Sequence, residues 1–109
     1  MANTKDNKYY ISKILNDINA IIEYTKNLSR DEFIGNSLII DATMFRLVQM
    51  TENVKGLSEE FRNNHSSVKW TSIVGFRNKI VHEYGKTDYS IVYEIISKDI
   101  YKLKIELEK

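Results

Sequence analysis

Residues 6–28 read DNKYYISKILNDINAIIEYTKNL. Apolar side chains recur at Ile11, Ile14, Leu15, Ile18, Ile21, Ile22 and Leu28. Separations of three, four and seven residues return to one face of a helix, so the stretch predicts a long amphipathic helix over Asp6–Leu28. Lys13, Asn16, Asp17 and Asn19 fill its other positions.

The chain beyond it continues in the same idiom. Ser29-Arg30-Asp31-Glu32 has Ser followed three residues later by Glu, the signature of a capping box, and opens a short helical turn through Phe33 and Ile34 that ends near Gly35. A second long helix is expected over Asn36–Lys55. Leu38, Ala42, Phe45, Val48 or Gln49, and Glu52 trace one face, and Ile39, Leu47, Met50 and Val54 broaden the apolar surface. Apolar residues around so much of the circumference fit a central helix, or one with a second buried face at a subunit contact. Gly56 marks a kink or an end, and Leu57–Arg62 can continue helically. Asn63-Asn64-His65-Ser66-Ser67 reads as a polar loop. Ser66 or Ser67 is placed to cap a helix over Val68–His82, with Trp70, Ile73, Val74, Ile80 and Val81 inward. After the break at Gly85–Asp88, Thr87 or Asp88 caps a last helix over Tyr89–Leu107. There Ile91 or Val92, Ile95 or Ile96, Ile100, Leu103 and Leu107 repeat at helical spacing.

Composition agrees with that reading. The 109 residues hold no proline, no cysteine and four glycines, where average usage gives about five prolines and seven or eight glycines. So few turn-formers argue against an all-β sandwich, and the lack of cysteine removes a disulfide framework or a thiolate zinc site. The expectation is one domain, residues 1–109, all-α: an antiparallel bundle of four main helices plus a short extra helical turn. No run reaches the roughly 18 apolar residues of a membrane span. The first residues, Met-Ala-Asn-Thr-Lys-Asp-Asn-Lys, lack the apolar core of a signal peptide, so a cytoplasmic location without membrane contact is expected. A net charge of +1 gives no broad basic footprint, so any RNA contact must come from a local cluster.

Chemistry concentrates in Phe76-Arg77-Asn78-Lys79-Ile80-Val81-His82-Glu83-Tyr84. Seven residues apart, Arg77 and Tyr84 share a stripe, and Asn78 and His82, four apart, face together. Arg77, Asn78, His82 and Tyr84 therefore occupy one broad arc, a shallow surface that a second copy of the chain can complete. Each has a plainer reading. A lone His at a helix end commonly partners the helix dipole, and Arg77 in an apolar stripe calls for an ion pair, for example with Glu52 or Asp41. Trp70 and Phe76 read as core or dimer contacts, His65 as a solvated loop residue, and Lys69, Lys79 and Lys86 as a solvated face that adds local positive potential. The two histidines lack metal-ligand spacing.

The combination resembles the motif of the HEPN superfamily: Arg77, then four residues, His82, one residue, Tyr84, with Asn78 after the arginine. More narrowly it is similar to the HepT-like toxins of HepT–MntA toxin–antitoxin modules. The approach Phe61, Trp70, Gly75-Phe76-Arg77-Asn78 is similar to that family's, and the likeness covers nearly the whole chain. It departs at Glu83, where relatives often have glycine, at His65-Ser66-Ser67, where they often have proline, and near Tyr101. Glu83 sets a negative charge beside His82, which can weaken a phosphate contact.

The resemblance implies a homodimer with paired motifs across the two-fold, and a metal-independent endoribonuclease that needs no cofactor. His82 is then the general acid/base and Arg77 the phosphate-holding, charge-stabilising group. Asn78 and Tyr84 position the substrate. It also implies a minimal nucleotidyltransferase antitoxin that adenylylates Tyr84 and silences the toxin, in the manner of a type VII-like module. The rival expectation is a non-catalytic helical dimer that binds a nucleotidyltransferase or a nucleotide. Gly75, a poor helix former two residues before Arg77, is expected to let another helix or a second subunit approach the site.

Overall fold

The computed structural model describes residues 5–82 and 88–109, and within them all side chains except those of residues 77 and 79–82. Every regular element among the described residues is helical. In α1 (Asn7–Thr25) Asp6 caps the start, its Oδ1 accepting the Tyr9 amide at 3.0 Å. Ile14, Ile18 and Ile21 are completely buried, as the spacing requires. The helix stops at Thr25 rather than Leu28, where the Leu28 amide turns back to the Thr25 carbonyl.

The short α2 (Arg30–Ile34) carries the expected capping box. The Glu32 amide donates to Ser29 Oγ at 3.1 Å, and the Ser29 amide to Glu32 Oε1 at 2.9 Å. It exists to bury Phe33, whose ring lies 5.7 Å from that of Tyr93.

The long α3 (Ser37–Val54), capped by Asn36, is central and packs along α1, α2 and α5. Its core face is Ile40, Met44, Leu47, Met50 and Val54. The face traced through Leu38, Phe45 and Glu52 is instead the outer one: Leu38 is 77% exposed and Phe45 64%. With apolar residues nearly all round, spacing could not choose between the two faces. Asn7 meets Ser58 beyond the end of α3, Asp17 meets Gln49, and Tyr24 meets Arg46, so α1 and α3 run antiparallel.

The chain ends one helix at Val54 and is helical again from Glu59, so Leu57–Arg62 is helical in its last four residues but not continuous with α3. The Gly56 amide closes a turn onto the Asn53 carbonyl, and the Tyr10 ring fills the space a side chain at position 56 would take. A new helix, α4 (Glu59–Asn64), starts under Ser58, whose Oγ accepts the Phe61 amide at 3.0 Å. Asn7 pins this junction, accepting from the Ser58 amide and donating to its hydroxyl. Helix α5 (Trp70–His82) begins two residues later than Val68, so neither Ser66 nor Ser67 stands at its cap.

The last helical stretch is α6 (Tyr89–Glu94), a π-helical turn (Ile95–Asp99) and α7 (Ile100–Leu107). Asp88 caps it, accepting the Ser90 amide at 2.9 Å. Of the alternatives at each step, Val92 and Ile96 are buried and Ile91 is 57% exposed. Val92 and Ile100 are eight residues apart, which in a regular α-helix would rotate them about 80° from one another. The wide turn, closed by the Ile100 amide on the Ile95 carbonyl, takes up the extra residue and keeps both in the core with Leu103 and Leu107.

Candidate active site

Arg77, Asn78 and His82 all lie on α5, His82 as its last residue. Their separation puts His82 about 7.5 Å further along the axis than Arg77. Asn78 is exposed. The side chains of Arg77 and His82 lie outside the described ones, so the pairing of Arg77 with Glu52 or Asp41 does too. Tyr84, with Glu83 and Lys86, lies outside the described residues. The structure thus brings three of the four candidate positions onto one helix.

What holds that helix in place is well defined. The Trp70 indole N–H lies 3.0 Å from both the Arg62 and His65 carbonyls, tying the first turn of α5 to the end of α4. The Phe61 ring meets the Trp70 ring edge-on at 6.3 Å and stacks on the His65 ring at 4.2 Å. His65 Nδ1 sits 2.9 Å from Glu106 Oε1 on α7. His65 is therefore no solvated loop residue: its side chain is 22% exposed and clamps α4 to α7. The hydrogen bonds from His65 and Lys109 hold the Glu106 carboxyl below its ordinary value. Nothing in the loop sequence signals this, because the partner lies 41 residues away.

A Cβ at Gly75 would meet nothing within 4 Å. No other described helix uses the glycine for close approach, and among the described residues the space beside it is open. A recess of about 560 Å3 lies between α5 and the last helical stretch, lined in part by Lys69, Ser72, Phe76, Asp99 and Lys102. Phe76 is half-buried against the core. Among the described residues no group of three His, Asp or Glu converges as a metal site would require.

A second polar centre was not apparent from spacing. Asp17 is fully buried between α1 and α3, where Arg46 Nη1 and Gln49 Nε2 each donate to its Oδ1 at 3.1 Å. Arg46 Nε also donates to the Tyr24 hydroxyl at 3.3 Å. Burial pushes the Asp17 carboxyl above its ordinary value, against the pull of Arg46. The available signal was its position: Asp17 lies between Ile14, Ile18 and Ile21 on the buried stripe. Its place in the α1–α3 contact makes it part of the scaffold.

Comparison with known proteins gives a family. The Ribonuclease HepT-like family matches residues 14–109. The chain is 34% identical over 104 residues to the Methanocaldococcus jannaschii protein named "Putative RNase MJ1380", covering 95% of each chain. It is 35% identical over 100 residues to "Putative RNase TTE0752" of Caldanaerobacter subterraneus, covering 92% of this chain and 89% of that one. "Probable ribonuclease HepT" of Thermococcus cleftensis is 25% identical over 105 residues, covering 96% of each. No solved structure matches.

Proposed function

The chain belongs to the HepT-like ribonuclease family, and from that premise we propose that it is the toxin of a nucleotidyltransferase-linked toxin–antitoxin module and cleaves RNA without a metal ion. The observation that carries the reading is the family match across residues 14–109 together with Arg77, Asn78 and His82 on a single helix.

In the proposed reaction the RNA 2′-oxygen bonds to the adjacent phosphorus and the bond to the 5′-oxygen breaks. A 2′,3′-cyclic phosphate and a free 5′-hydroxyl result. One proton leaves the 2′-hydroxyl and one reaches the departing 5′-oxygen. An imidazole titrates near neutrality and can accept or deliver such a proton, which is the role of His82. The last turn of α5 carries the negative end of the helix dipole, which favours the imidazolium form. Arg77 holds the phosphate with its planar fork of donors and offsets the charge that develops on the non-bridging oxygens. Asn78, exposed on the same helix, orients the imidazole or a phosphate oxygen, and Tyr84 bonds substrate.

The active unit is a homodimer in which two α5 ends share one groove. The open side of Gly75 and the uncovered Leu38 and Phe45 of α3 support it. A nucleotidyltransferase partner adenylylates Tyr84, and the added anionic group repels RNA from the groove. Purified protein incubated with RNA and a chelator tests the enzyme reading: fragments ending in cyclic phosphate are expected, and intact RNA favours the non-catalytic nucleotidyltransferase- or nucleotide-binding dimer. Co-expression with the partner should add nucleotide mass to the Tyr84 peptide, and Tyr84→Phe should abolish the addition. An unmodified wild-type peptide beside an active partner refutes that part.

A further inference from the structure

The recess between α5 and α7 has the composition of a binding site, and it is built on the helix that carries the motif. Its lining includes Lys69, just before α5, and Ser72, Ile73 and Phe76 on α5, a stripe at helical spacing whose last member directly precedes Arg77. We propose that it is a subsite for a base of the RNA flanking the cleaved bond, an assignment that rests on the ribonuclease reading above.

Three features select a nucleotide. First, the floor is apolar and in part aromatic: Ile73 is 8% exposed and Leu103 2%, with the half-buried Phe76 between core and recess. Unstacked bases seek such surfaces in single-stranded RNA recognition. The volume of about 560 Å3 falls within the range of small-ligand sites.

Second, the rim carries two cations, Lys69 just before α5 and Lys102 on α7, both exposed and neither in an ion pair with a described residue. Two uncommitted ammonium groups beside an apolar floor suit a phosphate attached to a buried base.

Third, the rim has one uncommitted carboxylate. Glu106 is engaged by His65 and Lys109, but Asp99 has no described partner. An ionised carboxylate only accepts, and it can take two parallel donors. Guanine offers two adjacent donors on its pairing edge, its ring N–H and its 2-amino group. Uracil offers one donor flanked by two carbonyl oxygens, which the carboxylate would repel. The recess therefore prefers guanine.

Titration of the wild-type chain with guanosine 3′-monophosphate tests this, with uridine 3′-monophosphate and inorganic phosphate as controls. Chemical shifts of Ser72 and Lys102 report occupancy. Saturable binding of the guanosine nucleotide is expected, weakened about tenfold or more by Lys102→Glu and by Ser72→Trp, which fills the recess from an exposed position. Phosphate binding as tight as that of the nucleotide, or binding that both variants leave unchanged, overturns the assignment, as does no binding at all. In RNA cleavage Ser72→Trp should raise KM severalfold, and an unchanged KM refutes the subsite while the ribonuclease reading stands. Nucleotide binding in a chain that leaves RNA intact refutes the ribonuclease reading instead.

Discussion

Arg46 on α3 reaches the fully buried Asp17 on α1 with Nη1 3.1 Å from Oδ1, while the other carboxylate oxygen, Oδ2, is buried without a hydrogen-bond partner among the described residues. The two longest helices are thus joined by a charge pair, with Gln49 and Tyr24 as its further polar partners. Such a pair costs much to desolvate, and it costs more still to break from one side.

Arg46→Met should therefore destabilise the fold by about 3 kcal/mol at pH 7, and the double variant Asp17→Leu/Arg46→Met should recover most of that. Denaturant unfolding measures both. The pH dependence has a definite sign. Burial raises the Asp17 carboxyl above its ordinary 3.8, so the native state holds a proton that the unfolded chain releases. The contribution of Asp17 is fully present below that ordinary value and is lost as pH rises through the raised native one. Asp17→Asn should flatten this slope.

Glu106 has the opposite sign. Hydrogen bonds from His65 and Lys109 hold its carboxyl below the ordinary 4.5, so its contribution is present above that value and is lost as pH falls through the lowered native one. Glu106→Gln should lower the Tm at pH 7, and the gap to wild type should close on acidification. A gap independent of pH would show that the contact acts by shape alone.

Gly56 is fixed by the Tyr10 ring packed where its Cβ would stand. Gly56→Ala should cost about 2 kcal/mol through overpacking. In a Tyr10→Ala background the same substitution should cost much less, a coupling that a double-mutant cycle reads directly.

Phe45 is 64% exposed and stands seven residues from Leu38, 77% exposed, on the outer face of α3. If two copies pair over this face, Phe45→Glu should convert a dimer to a monomer in sedimentation while leaving the Tm of the single chain within a degree or two, as surface substitutions do. A variant that sediments as wild type places the contact elsewhere.

The helices were legible because their signals are local. Asp6, Ser29, Asn36 and Asp88 cap the helices they precede, and the period of Ile14, Ile18 and Ile21 chose their face correctly. Where apolar residues ring the helix, as in α3, the period carried no direction and could not say that Leu38 and Phe45 stand on its exposed side. The partners of His65 and Asp17 come from distant segments, so neither bond could be read from spacing. The break at Gly56 depended on a ring 46 residues earlier in the chain. For the site, the chain alone showed that Arg77, Asn78 and His82 belong to one helix. It did not show the recess, because Asp99, Lys102, Leu103 and Glu106 of its lining come from the last helical stretch.

His82, the last residue of α5, is the proposed acid/base of RNA cleavage. The direct measurement is the rate at which purified wild-type protein and His82→Ala cleave one defined RNA in chelator, with matched folding confirmed by Tm. Cyclic-phosphate products are expected from wild type, with a loss of at least about a hundredfold in rate for the variant. Equal rates in the two proteins would rule out that role for His82.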